Sequence, residues 1–394
     1  MRNVKTFCDT YYQERKNTES VKWDGMLEPF GESELLPLWV ADMDFRLPDE
    51  VLTRLQDRIN HGIFGYSQPS VTYYDTFIQW QKKRHDLTIE KEWIRFTTGV
   101  VAGFNYLIQA FTKEEEAVMV LAPVYYPFYD AIKANNRTLV APLLSKNKNR
   151  YDIDFADLEA QLVAHKVKLL LHCSPHNPVG RVWSLEETEQ LMEICYRHDI
   201  LVISDEIHQD FIHPDKVFTS MLHLDDKYHS HLFVVTAASK TFNIAGLLHS
   251  HVIIPDEKNR QCYDTFAERS INNVPSLMGM IATEACYQYG EEWLEGLLEV
   301  IEYNYHEAKK QINQVLPHAR IMDKEGTYLM WVDLGAYLNN EEMVDIIQKR
   351  AKVAVDYGEW FGEESSSYIR INLATSYENI RLAINRISKE IHNK

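Results

Sequence analysis

Between residues 94 and 254, short apolar runs alternate with longer stretches whose apolar residues recur every three or four positions. The runs IRFTT, AVMVLA, RTLVAPLL, KVKLLLHC, ILVISDE, HLFVVTA and LLHSHVII have the length and content of strands. They are continuously apolar rather than strictly alternating, as strands covered on both faces require. Between them lie amphipathic stretches such as VVAGFNYLIQAF and SLEETEQLMEICYRH. The second opens on Ser184 and Glu187, the spacing at which serine and glutamate cap a helix reciprocally. The pattern predicts an α/β large domain: a mostly parallel, seven-stranded sheet covered by helices.

The pattern then changes. Helical stretches are expected at about 291–315, 339–352 and 376–392, with strands in RIMDKEGTYLMWVDL, KVAVDYG and YIRINLA. These predict a smaller α+β domain. The first fifty residues show no clear alternation and end in PLWVADMDF, so an arm or strand packing onto the smaller domain is expected. The expected division is an arm at 1–48, a large domain at 49–289 and a small domain at 290–394. In such a fold a site forms at the carboxyl ends of the parallel strands, near the domain junction.

Composition narrows the function. Of 394 residues, 45% are hydrophobic and 25% charged, the balance of a globular chain able to bury a deep site. A net charge of −17 argues against nucleic acid or an anionic membrane as the main partner. Five cysteines without a CxxC pair, a polar N-terminus and no run of 18 apolar residues give a cytoplasmic expectation. The pair His249 and His251 has no evident third ligand, so no metal is expected.

Five features gain meaning from their places at strand ends. Lys240, in AASKTFNIAGL, follows an apolar run and has no carboxylate within ten residues on either side. Burying an unpaired ammonium is costly, so its setting needs a reason. ILVISDE ends in Asp205, which alone reads as a loop carboxylate or cap. LLLHCSPHNPVG ends in Asn177-Pro178, which alone reads as a turn. Gly99 opens a helix whose first amides can hold a phosphate. LAPVYYPFYD brings Tyr125 and Tyr126 after another strand. Together, a lysine, an acid, an amide, a phosphate cradle and an aromatic face are the set that pyridoxal 5′-phosphate requires.

The order Asn177-Pro-x-Gly, Asp205-Glu, Ser239-Lys240 and Arg370 in YIRINLAT resembles the fold-type I pyridoxal-phosphate enzymes, the aspartate aminotransferase superfamily. Within it, WVADMDF, GYSQP, SPHNPVGRVW, SDEIHQDF and SKTFNIAGL resemble the cystathionine β-lyase-type C–S lyases related to MalY, PatB and cystalysin. The resemblance runs from about residue 30 to the end. It implies the pyridoxal-phosphate-dependent transferase fold and a homodimer with shared sites. It makes Lys240 the Schiff-base lysine and Asp205 the partner of the pyridine nitrogen. Asn177 faces the ring's 3′ oxygen with His208 close by, and Tyr125 stacks on the ring. Gly99, Val100 and Val101 give main-chain donors to the phosphate, and Tyr66 reaches the phosphate of the neighbouring subunit. Arg370 takes the substrate carboxylate, helped by main chain near Ala41. Many aminotransferases of the superfamily carry an arginine eight residues after the lysine and a serine three before it. Here those positions are Leu248 and Ala237, leaving the phosphate to the 99–101 turn, Tyr66 and either Thr236 or Ser239. The implied reaction is α,β-elimination from a small sulfur amino acid, L-cystathionine or L-cysteine, to pyruvate, ammonia and a thiol. An aminotransferase uses the same residues and stands as the alternative. A regulatory or binding protein on the same fold is a third reading.

Overall fold

A computed structural model describes residues 2–270 and 275–394. All seven expected strands form one sheet: β1 Ile94–Thr97, β2 Ala117–Met119, β3 Thr138–Val140, β4 Leu169–Cys173, β5 Leu201–Asp205, β6 Leu232–Thr236 and β7 Ser250–Ile253. Their order is β1-β7-β6-β5-β4-β2-β3. β7 runs antiparallel to both neighbours, and the pairings from β6 to β3 are parallel.

Successive residues of the central strands serve opposite faces. Leu169, Leu171, Ile203, Phe233 and Val235 join one core, with Phe104 and Leu107 of the helix Val100–Phe111. Leu170, Val202, Leu232 and Val234 join the core on the other face. Both sides are apolar because both are covered, which accounts for the unbroken hydrophobic runs. The helix Val100–Phe111 lies close to the sheet through Gly103, where a Cβ would stand 3.2 Å from Thr97 and Val252 side-chain atoms. The helix Leu185–Arg197 opens on the expected capping box, Ser184 and Glu187 each bonding the other's main-chain N–H.

A second, antiparallel sheet contains β8 Arg320–Ile321, β9 Leu329–Asp333, β10 Asp356–Tyr357 and β11 Tyr368–Asn372, ordered β8-β9-β11-β10. Its register sets Asp356 opposite Arg370. The long run RIMDKEGTYLMWVDL is two strands, β8 and β9, rather than one. Helices Glu291–Val315 and Tyr377–His392 contribute to this sheet's core.

The N-terminal segment, expected as an arm or strand, begins as a helix. Arg2–Tyr11 is a helix, and Val4, Phe7, Cys8 and Tyr11 join the core at helical spacing. Phe7 packs against Gly296, where a Cβ would come within 2.6 Å of its ring. Further on, Leu36–Pro37 pairs in parallel with Val353–Ala354. Among the described residues no helix is long and apolar enough to cross a membrane.

Candidate active site

The carboxyl ends of β1, β4, β5 and β6, with the loop after β2, surround a cavity of about 240 Å³. Asp205 is the last residue of β5, and Lys240 lies on the short helix Ala238–Thr241 after β6. Asn177 stands four residues beyond β4, and Gly99 two beyond β1. Ala41, Gly99, Val100, Val101, Tyr125, Asn177, Asp205, His208, Ser239 and Lys240 all line the cavity. Residues far apart in sequence, from Gly99 to Lys240, meet here because parallel strands present their carboxyl ends on one edge.

Lys240 finds no carboxylate bond: its Nζ donates to the carbonyl of Ala41 at 2.6 Å. Burial lowers its pKa to about 8, partly opposed by the negative charge of Asp42, with Arg370 lowering it further. Asp205 accepts the Ile207 N–H at 3.1 Å, and burial raises its pKa to about 7. His208 is held well below the ordinary imidazole range by burial, with Lys240 and Arg370 adding to the effect. Its Nδ1 has no hydrogen-bond partner among the described residues. Burial raises the Tyr125 hydroxyl strongly and keeps it neutral.

Arg370 sits behind Asn177 on β11. One guanidinium nitrogen donates to Asn177 Oδ1 at 2.9 Å, and the other to the Trp39 carbonyl at 3.1 Å and to Asp356. The guanidinium lies 4.9 Å from the Phe361 ring centre. Arg370 and Asp356 side chains are each only 2% exposed. Burial raises the Asp356 carboxyl to about 6, opposed by the arginine charge. Asp356 escaped the sequence reading because nothing in KVAVDYG distinguishes it; only the strand register brings it to Arg370.

The cavity fits the expected cofactor on features of its own. Gly99 caps the helix Val100–Phe111 without any side-chain hydrogen bond, and a Cβ there would meet no atom within 4 Å. The space beside that glycine and the free amides of the first turn form an anion cradle. Ser239 lines the same cavity, whereas Thr236 is buried and donates to the Glu206 carbonyl at 3.4 Å. Leu248, eight residues after Lys240, also lines the cavity.

Some expected groups lie elsewhere. Tyr66 is fully exposed and is not among the cavity's lining residues. Tyr126 packs edge-on to Trp360 and Phe361. His249 and His251 meet at the Tyr73 hydroxyl, at 2.5 and 2.7 Å. The sequence reading missed Asp356 and the asparagines Asn243 and Asn372 described below.

The sequence profile of aminotransferase class I and II matches residues 33–387. Cystathionine β-lyase PatB of Bacillus subtilis is 38% identical over 95% of this chain and 97% of its own length. Protein MalY of Escherichia coli is 30% identical over 91% of this chain and 92% of its own. The crystal structure of cystalysin from Treponema denticola, which contains pyridoxal 5′-phosphate, superposes with a TM-score of 0.93 at 35% identity, covering 98% of each chain. The architecture is that of the pyridoxal-phosphate-dependent transferases, as the strand pattern and motifs led one to expect. With the profile spanning both sheets and the residues that line the cavity, the chain belongs to the class I and II aminotransferase family.

Proposed function

We infer that this chain is a pyridoxal 5′-phosphate-dependent carbon–sulfur β-lyase. The carrying observation is that relatives above 30% identity over nearly full length include a cystathionine β-lyase and a C–S lyase, with Lys240, Asp205, Asn177 and the Gly99 cradle around one cavity. When bound, the cofactor supplies an aldehyde that a lysine amine holds covalently and a ring that accepts the electron pair left at Cα. Lys240 is the holding lysine and the base that takes the Cα proton. An amine with a pKa of about 8 is substantially neutral near that pH, which a base requires. Asp205 faces the ring nitrogen as a carboxylate, Asn177 the ring's oxygen, and Tyr125 one ring face. Gly99, Val100, Val101 and Ser239 hold the phosphate. Arg370 takes the substrate carboxylate through the planar fork that suits it.

The substrate is a sulfur amino acid such as L-cystathionine or L-cysteine. Loss of the Cα proton and of the Cβ thiolate, followed by addition of water, gives pyruvate, ammonia and the thiol. The working unit is a homodimer in which Tyr66 reaches the partner's phosphate; the exposed Ile63, Phe64, Tyr66 and Val71 support such a contact. The free state of all five cysteines supports a cytoplasmic location. The same residues serve an aminotransferase, the activity for which the matched family is named. Incubation with L-cystathionine or L-cysteine and no keto acid separates the two. Pyruvate formed over many turnovers is expected; activity only on adding a keto acid would overturn the lyase reading.

A further inference from the structure

The segment Trp39–Met43 crosses the site as irregular chain, and every one of its carbonyls accepts a hydrogen bond from a side chain. Trp39 accepts from Arg370 at 3.1 Å, and Val40 from Asn372 Nδ2 at 2.6 Å. Ala41 accepts from both Lys240 Nζ, at 2.6 Å, and the Tyr328 hydroxyl, at 2.8 Å. Asp42 accepts from Asn372 Nδ2 at 2.6 Å, and Met43 from Asn243 Nδ2 at 2.8 Å. Asn243 also accepts the Met43 N–H at 2.9 Å, and Asn372 the Ala374 N–H at 2.7 Å. The two asparagines thus tie this chain to the two segments that carry the functional side chains. Asn243 lies three residues after Lys240, and Asn372 two after Arg370. On the far side, Arg15 bonds Asp42 at 2.6 Å, and fully buried Lys22 bonds Asp44 at 2.8 Å.

Satisfying buried carbonyls is a general need, and it alone accounts for the asparagines. Val40 and Met43 also accept two donors each, from Asn372 and the Asp42 N–H and from Asn243 and Arg15, but at Ala41 one of the two donors is the cavity lysine. A carbonyl oxygen has two lone pairs, so the Tyr328 hydroxyl keeps it satisfied whether or not the lysine amine is present. Tyr328 is itself fully buried, so water has no access to replace it. We propose that the Ala41 carbonyl receives the Lys240 amine whenever that amine is detached from the cofactor. Tyr328 satisfies the same oxygen when the amine is attached, and Asn243 and Asn372 act as positioning residues that fix the carbonyl. The inference rests on Lys240 being the cofactor-holding lysine.

It makes the attached and detached states unequal in their need for Tyr328. In Tyr328→Phe, the carbonyl keeps the lysine amine in the detached state and is orphaned in the attached one. The cofactor dissociation constant, read by absorbance titration, should rise about tenfold or more, while the melting midpoint of the cofactor-free protein stays unchanged. Asn372→Ala releases the Val40 and Asp42 carbonyls on either side of Ala41. In that background the Ala41 carbonyl is free to turn toward the cavity it lines, and adding Tyr328→Phe should change the constant less than threefold. Equal loss of melting midpoint in free and loaded Tyr328→Phe with the constant unmoved would overturn the proposal. So would an undiminished effect in the Asn372→Ala background. Failure of the underlying reading looks different: loaded wild-type protein would then show no absorbance band above 400 nm.

Discussion

Asp205→Asn tests the electrostatics of the cavity, because it removes a charge without removing shape. Asp205 is buried, and its pKa is about 7 against an ordinary value of 3.8. A folded-state pKa raised above the unfolded one means that the native protein holds the proton more tightly. The associated stability is fully present below about pH 4 and is lost as pH rises through about 7. The difference of about three pH units corresponds to about 4 kcal/mol held against the fold above pH 7. Asparagine carries no such burden and can still accept the Ile207 N–H. Neighbouring Glu206, also raised to about 7 by burial, is present in both proteins, and the variant relieves only the small part of that rise due to the Asp205 charge. Urea unfolding of the cofactor-free proteins across pH 4–8.5 is the assay. Asp205→Asn should be the more stable at pH 8, by up to about 4 kcal/mol, with the advantage vanishing toward pH 4. The order should reverse in function: with cofactor present the variant lacks the anion proposed to face the ring nitrogen, and turnover should fall by about two orders of magnitude or more. A stability difference below about 1 kcal/mol at pH 8, or one independent of pH, would refute the assigned environment of Asp205.

Gly99→Ala should leave the cofactor-free protein's melting midpoint unchanged, because φ is 170° and the added Cβ meets no protein atom. The same methyl intrudes on the anion cradle, so cofactor affinity in an absorbance titration should fall about tenfold or more. Arg370→Lys keeps the charge but loses the fork that bonds Asn177, Trp39 and Asp356, and kcat/KM should fall about 10–100-fold in a pyruvate-release assay. Near-wild-type values for Arg370→Lys would remove Arg370 from substrate binding.

The chain's own pattern determined the sheet, its seven strands and the loops that carry the chemistry. An apolar run covered on both faces has few alternatives to a parallel strand, and the residue at its carboxyl end then lies at the sheet's edge. Asp205 and Asn177 were legible for that reason, and Lys240 because a lysine among small uncharged residues contradicts local expectation. The helix Arg2–Tyr11 was legible too, in the spacing of Val4, Phe7, Cys8 and Tyr11, but the segment's weak overall alternation concealed it. Other features were decided only by tertiary structure. Asp356 becomes the partner of Arg370 through the register of β10 and β11, which no local signal encodes. The bond from Lys240 to Ala41 joins residues 199 positions apart, and that from Asn372 to Val40 joins residues 332 apart. Such contacts depend on where an irregular segment is held rather than on its own propensities. The pKa of Lys240 likewise belongs to the cavity, because burial and neighbouring charges set it, and both exist only once the chain has folded.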